Sequence, residues 1–161
     1  MNKFQLEYDY RVFYDWFSVK LRRKIKEEFN INYLKIANEY DHIEIYPHFL
    51  KVSKGFRWDG CSPKIKLFGI WIGTPDGSID TSGKQRMYYP SCLHDVLYKN
   101  LEVIPFSRKT VDLMFYELAK SYGFKFSGLY YCGVRLLGGI YHNIARFCRN
   151  RQIYNSCKNK R

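Results

Sequence analysis

Between Ser107 and Gly123 the chain carries a helix with both ends marked. Ser107 stands where an N-cap hydroxyl accepts a free backbone N–H, and Gly123 where a chain leaves a helix in the left-handed conformation. Val111, Phe115, Leu118 and Tyr122 recur at spacings of four, three and four, which makes them one buried stripe. A second helix is predicted near 90–100, opened by Pro90, because proline's missing N–H costs nothing in a first turn. Only Leu101 to Phe106, with Pro105, connects the two, so they are expected to pack as antiparallel neighbours.

That geometry gives meaning to the run Cys92-Leu93-His94-Asp95-Val96-Leu97-Tyr98-Lys99-Asn100. His94 and Tyr98 are four residues apart and share a helix face, while Asp95 is turned about 100° away. An imidazole and a carboxylate thus leave adjacent points of one rigid element in two directions. The imidazole is placed to handle a proton and the carboxylate to hold a cation. The plainer alternative is a charge effect at a helix start, with Asp95 favoured by the dipole and His94 bonded into the core. Asp112 adjoins the stripe of the next helix and can face His94. A carboxylate on one imidazole nitrogen fixes which tautomer presents the other.

Upstream, Lys54-Gly55-Phe56-Arg57-Trp58-Asp59-Gly60-Cys61-Ser62-Pro63 is rich in turn signals. An aspartate in a glycine-bearing loop can offer a carboxylate and backbone carbonyls to a hard cation such as calcium. It can equally bond to its own backbone.

Taken together, Lys54-Gly55-Phe56, Asp59-Gly60 with Ser62-Pro63, His94-Asp95-Val96-Leu97-Tyr98, Arg108 with Asp112 and Phe115, and Val134-Arg135 with Gly138 resemble domain of unknown function 1353. That family occurs mostly in phages and prophages, and it brings no established activity. The resemblance covers about residues 42 to 142, with a stretch from about Thr74 to Met87 longer than the family pattern. His94-Asp95-x-x-Tyr98, followed 18 residues after His94 by Asp112, is more distantly similar to the core of the phospholipase A2 fold. The similarity implies His94 as the base that activates water, Asp95 as a calcium ligand, Tyr98 as a hydrogen-bonding support and Asp112 as the group that orients the base. Asp59 and the carbonyls around Gly60 are then the candidates for the rest of a calcium site. The chain departs from that pattern in lacking a glycine-rich calcium loop, and Cys92 is only a loose counterpart of the cysteine beside the family's histidine. A metal-dependent phosphohydrolase also uses a His-Asp doublet but needs further helical histidines, whereas His42 and His48 lie in strand-like sequence and His142 lies late in the last helical run.

The 161 residues suit one domain, with a motif-bearing core over 42–148 and a basic tail over 150–161. The formal charge of +12 includes one cluster at Lys20, Arg22, Arg23, Lys24 and Lys26 and another at Arg146, Arg149, Arg151, Lys158, Lys160 and Arg161. Such a balance favours an anionic surface, phospholipid headgroups or nucleic acid, or an acidic protein, and the family resemblance implies other phage proteins as partners; no nucleic-acid-binding motif is recognisable. Five cysteines without CxxC spacing favour reduced thiols over a structural zinc. No signal peptide is apparent, and with the phage-family resemblance this implies the host cytoplasm or the virion. The apolar stretch Leu129–Ile140 is interrupted by Arg135 and too short for a transmembrane segment.

In order, the patterns predict a strand near 4–13, a helix near 15–29 capped by Asp15 with Phe17, Leu21, Ile25 and Phe29 inward, and strands near 31–37 and 42–52. A Gly/Pro-bearing loop over 54–89 and helices near 90–100, 107–122 and 126–148 complete them. This is an α+β arrangement, N-terminal strands and one helix packed on a C-terminal three-helix core that contains an antiparallel helix pair. Two functions fit. One is a calcium-dependent, phospholipase A2-like ester hydrolase acting on phospholipid. The other is a noncatalytic phage virion or host-interaction protein in which the His/Asp/Tyr cluster is structural.

Overall fold

The computed structural model describes residues 4–32, 41–60, 64–67, 70–73, 76–136 and 138. The fold is α+β, with small antiparallel sheets first and packed helices last. Strand β1 (Phe4–Gln5) pairs with β5 (Arg57–Trp58), while β2 (Tyr10–Phe13), β3 (Ile43–Ile45) and β4 (Phe49–Val52) form a sheet in the order β2-β4-β3. A separate hairpin joins β6 (Lys64–Leu67) to β7 (Ile70–Gly73). Alternation explains the central sheet: Val12, Leu50 and Val52 are fully buried, while Arg11 faces out and Lys51 pairs with its cross-strand neighbour Glu44.

Four expectations shift. The predicted strand over 4–13 is two strands in two sheets, because Leu6 turns aside to exchange backbone bonds with Phe56 and Gly55. The helix expected at 15–29 is α1 (Val19–Asn32), preceded by a 3-10 turn at Tyr14–Trp16. Its cap is Ser18, whose hydroxyl accepts from Leu21 N, whereas Asp15 pairs with Arg22 at 3.1 Å. Leu21, Ile25 and Phe29 do form its buried face, and Phe17, just before the helix, is buried in the same cluster. Ile31 and Asn32, expected in a strand, finish α1, and the remainder of 31–37 lies outside the described residues. The stretch read as loop contains β5, β6 and β7: Lys64-Ile65-Lys66-Leu67 alternates charged and apolar residues, and Ile70-Trp71-Ile72 is a short run of strand-favouring residues.

Helix α2 spans Tyr88–Lys99 and α3 spans Arg108–Ser121, with a further helical run, α4, over 127–136. Starting at Tyr88 still leaves Pro90 in the first turn, where no intrahelical donor is needed. Ser107 caps α3 by accepting from Thr110 N. Gly123 ends it at φ 72°, with its N–H bonded to Lys120 O and that of Phe124 to Ala119 O, a paired closure that satisfies two free carbonyls. Residues 139–148 of the predicted last helix and the basic tail lie outside the described residues.

Side-chain pairs fix the helix directions. Tyr89 packs on Tyr122, His94 on Phe115 and Tyr98 bonds to Asp112, so partners retreat along α3 as α2 advances and the two are antiparallel. Helix α1 is antiparallel to α3 as well. Glu28, near the end of α1, accepts from Ser107 N at 2.9 Å and from the Ser107 and Thr110 hydroxyls at 2.8 Å. Glu117, near the end of α3, accepts from the N–H and hydroxyl of Ser18, both at 2.6 Å. Each carboxylate sits at the positive N-terminus of the other helix.

Replacing Glu28 with alanine therefore removes three bonds at one helix end. The variant should unfold about 1–2 kcal/mol more easily in urea than the wild type, with its helical circular dichroism retained before the transition.

Candidate functional site

The site begins as a matter of helix period. His94 and Tyr98 leave α2 on the same face, and their rings lie 4.1 Å apart between centroids. Phe115 of α3 closes the other side of the imidazole at 4.8 Å. Both rings thereby hold His94 in one orientation, its side chain almost wholly out of water.

Asp112 lies at the centre. Its carboxylate is fully buried and bonded on both oxygens. Oδ1 meets His94 Nε2 at 3.1 Å and accepts the Tyr98 hydroxyl at 2.6 Å. Oδ2 accepts an Arg135 N–H at 2.7 Å. A carboxylate in an apolar core is expensive unless its lone pairs are met by donors, and here α2 and α4 meet them. Burial alone would raise the Asp112 pKa, but the bonds from His94, Tyr98 and Arg135 outweigh it and hold the group below the usual carboxylate value. The same surroundings push the Tyr98 phenol up, by burial and then by its bond to Asp112.

For His94, burial opposes the imidazolium, yet the Asp112 and Asp95 carboxylates outweigh that penalty and raise its pKa. With Nε2–H donated to Asp112, Nδ1 is left on the Asp95 side, 3.8 Å from Asp95 Oδ1. That distance is too long for a hydrogen bond. The two expected partners, His94 and Asp112, are thus brought together as the sequence predicts, and Tyr98 joins them.

Asp95 points elsewhere. A third of its side chain is exposed, and among the described residues it pairs with no lysine or arginine. Its pKa is raised, first by burial and also by the like charge of Asp59, while His94 pulls the other way. Asp59 reaches this neighbourhood because Trp58 is pinned to α2, its indole N–H donating to Ser91 at 3.0 Å. Gly60 follows at φ 79°, buried, where a Cβ would stand 2.6 Å from Asp76 Oδ1 and 2.8 Å from the Phe4 ring, so no side chain fits. Asp95 and Asp59 are the oxygen donors calcium prefers, in kind though not in number, since the ion takes six to eight. Among the described residues no group of three His, Cys, Asp or Glu side chains converges on a metal-sized point. Cys61, Ser62 and Pro63, which follow Gly60 in the sequence, lie outside the described residues.

Arg135 and Gly138 enter the sequence reading through the family-like pattern, Arg135 also as the charge that interrupts the apolar stretch Leu129–Ile140. Their roles now have geometry. A Cβ at Gly138 would come within 2.8 Å of the Tyr98 hydroxyl, so glycine there leaves room for the phenol that reaches Asp112. Arg135 was readable as a lone charge inside an apolar helical run, which signals a buried partner. Arg108 supports the same corner by donating to the Arg135 carbonyl at 3.2 Å. His42 lies at φ 60° just before β3 and His48 in the turn before β4, so neither joins the site as a further helical histidine. His142 falls outside the described residues.

Compared with known proteins, the chain matches no family model, no curated protein and no solved structure. The site is therefore read from its own geometry.

The shifts set the pH dependence. Asp112, lowered in the fold, contributes stability above its ordinary value near 4 that disappears as pH falls through the folded value. His94, raised in the fold, contributes stability fully present below about 6.5 that is lost as pH rises through the folded value. Urea melts should show the wild type losing stability as pH rises above about 6.5, and His94→Gln should flatten that fall. Arg135→Met leaves Asp112 without the donor on Oδ2, and it should cost about 1.5–3 kcal/mol in the same melts at neutral pH.

Proposed function

We propose that this chain is an ester hydrolase acting on phospholipid, with His94 as the base, Asp112 and Tyr98 as its orienting partners, and calcium at Asp95 and the Asp59-Gly60 loop. One observation carries the reading: the His94–Asp112 contact at 3.1 Å commits Nε2 and leaves Nδ1 toward the partly exposed Asp95. A base must be held in one tautomer and aimed at the side from which water and substrate arrive. Support also comes from the raised His94 pKa, which suits proton transfer near neutrality.

In the step this implies, His94 Nδ1 removes a proton from water as the water oxygen bonds to the ester carbonyl carbon. Asp112 stabilises the imidazolium without taking its proton, because the bonds from His94, Tyr98 and Arg135 hold its pKa below the usual carboxylate value. The proton then passes from Nδ1 to the departing alcohol oxygen as the C–O bond breaks, giving a fatty acid and a lysolipid. Calcium, when bound, would supply positive charge for the oxyanion. The resemblance to a phage family supports a location in the host cytoplasm or the virion.

A specific observation favours a second reading. Asp112 is fully buried and joined to Arg135, so the cluster ties α2, α3 and α4 together as a structural network would. On that reading the chain is a noncatalytic phage virion or host-interaction protein.

His94→Gln separates the two. A hydrolase should keep its fold and lose about 10²-fold or more of its turnover of phospholipid with calcium present. A structural network should instead lose about 1–3 kcal/mol in a denaturant melt. Wild-type protein that cleaves neither phospholipid nor a simple ester, with or without calcium, would end the hydrolase reading. Isothermal calorimetry should show calcium binding to wild type and at least about tenfold weaker binding to Asp95→Asn.

A further inference from the structure

Helix α4 is apolar on two sides, and only one of them is packed. Tyr130 and Val134 join a buried cluster with Phe115 and Phe124, and Tyr131 meets Tyr116 of α3. On the other side Phe126, Leu129 and Leu136 are 63%, 70% and 73% exposed, with Cys132 exposed between them. Spacings of three and seven put these side chains on one strip of the surface, continuing from Phe126 just before the helix. Gly128 and Gly133 add no side chain, and the space a Cβ would take at each is open. Soluble helices place polar residues outward, and here the outward strip has none from Phe126 to Leu136.

We infer that this strip docks on an anionic phospholipid surface. The charge of the chain selects that occupant. Lys125 borders the strip, and the sequence beyond it adds Arg146, Arg149, Arg151, Lys158, Lys160 and Arg161 to a chain of net charge +12. Apolar side chains entering the headgroup boundary, with cations drawn to anionic lipid, is the pattern of helices that lie in a membrane interface. A second copy would bring another +12 against the first. The exposed rings of Phe13, Trp16 and Tyr46 make a weaker candidate, because the cations beside them are engaged within the fold: Arg22 pairs with Asp15, Lys51 with Glu44, and Arg11 lies over the Phe49 ring. Docking is peripheral: among the described residues no helix is long and apolar enough to cross a membrane.

The strip is also joined to the site. Arg135 reaches Asp112 from the same helix, and Gly138 lies against Tyr98. A bilayer held on the outer strip of α4 would therefore lie one helix away from the His94–Asp112 pair. That use of the bilayer as substrate rests on the hydrolase reading; docking itself does not.

The test is sedimentation with vesicles of phosphatidylcholine alone and of phosphatidylcholine mixed with phosphatidylglycerol, using wild type, Leu129→Ser/Leu136→Ser and His94→Gln. Wild type should bind the mixed vesicles, less so as salt rises, and bind the neutral ones weakly. Leu129→Ser/Leu136→Ser should bind at least about tenfold less while melting like wild type, since both leucines are exposed. His94→Gln should bind as wild type does. Equal binding by the double-serine variant, or no binding by wild type, overturns the inference. So does a wild-type dimer in light scattering that the double-serine variant dissolves with vesicle binding unchanged, for the strip then belongs to a second copy. If vesicles bind through the strip and no lipid is cleaved, the hydrolase reading fails and docking stands.

Discussion

A carboxylate taken out of water has to be met by donors from every open direction, and Asp112 imposes that requirement on the C-terminal helices. Its oxygens face three donors from two neighbouring helices, so the crossing of α2 and α4 over α3 is set by where those donors must be. The apolar stripes of α2 and α3 would bury themselves at several rotations. Only one rotation also satisfies the charge. Glycine at 138 follows from the same demand, because the phenol of Tyr98 must pass close to the α4 backbone to reach Asp112.

This network can be strong and reactive at once. Four polar groups are fixed, but one ring nitrogen, Nδ1 of His94, is not among the bonded atoms. The groups that lock the helices therefore also fix the tautomer and aim of a base. Whether the chain uses that base or only the lock, the same contacts are required, and this is why packing alone does not divide the two readings.

Much of this was legible beforehand, for identifiable reasons. Ser107 and Gly123 are read correctly because caps are local chemistry, and the His94–Tyr98–Asp112 grouping follows from helix period and a short connection. The first strand was misread as continuous because alternation through residues 4–13 does not reveal that Leu6 turns to pair with Phe56. Ser18 rather than Asp15 caps α1 because a partner from far away, Glu117, decides where the helix begins. Arg135 is the instructive omission: its charge was counted against a membrane span when it was the third donor to a buried carboxylate. The β6-β7 pair was hidden because Gly69 and Gly73, with Pro63 and Pro75 on either side in the sequence, outweigh two four-residue strands in a reading by turn signals.

The crossed carboxylates of α1 and α3 act as a ruler. Ten residues separate Ser18 from Glu28 and ten separate Ser107 from Glu117, so each helix measures the other over roughly 15 Å. A substitution elsewhere in either helix leaves that measure intact. An insertion or deletion of one residue does not, since it rotates one acid about 100° off its target while the opposite end stays engaged. Relatives of this chain can therefore drift in the composition of these two helices but must change their lengths together, which makes matched length a better mark of kinship here than shared residues.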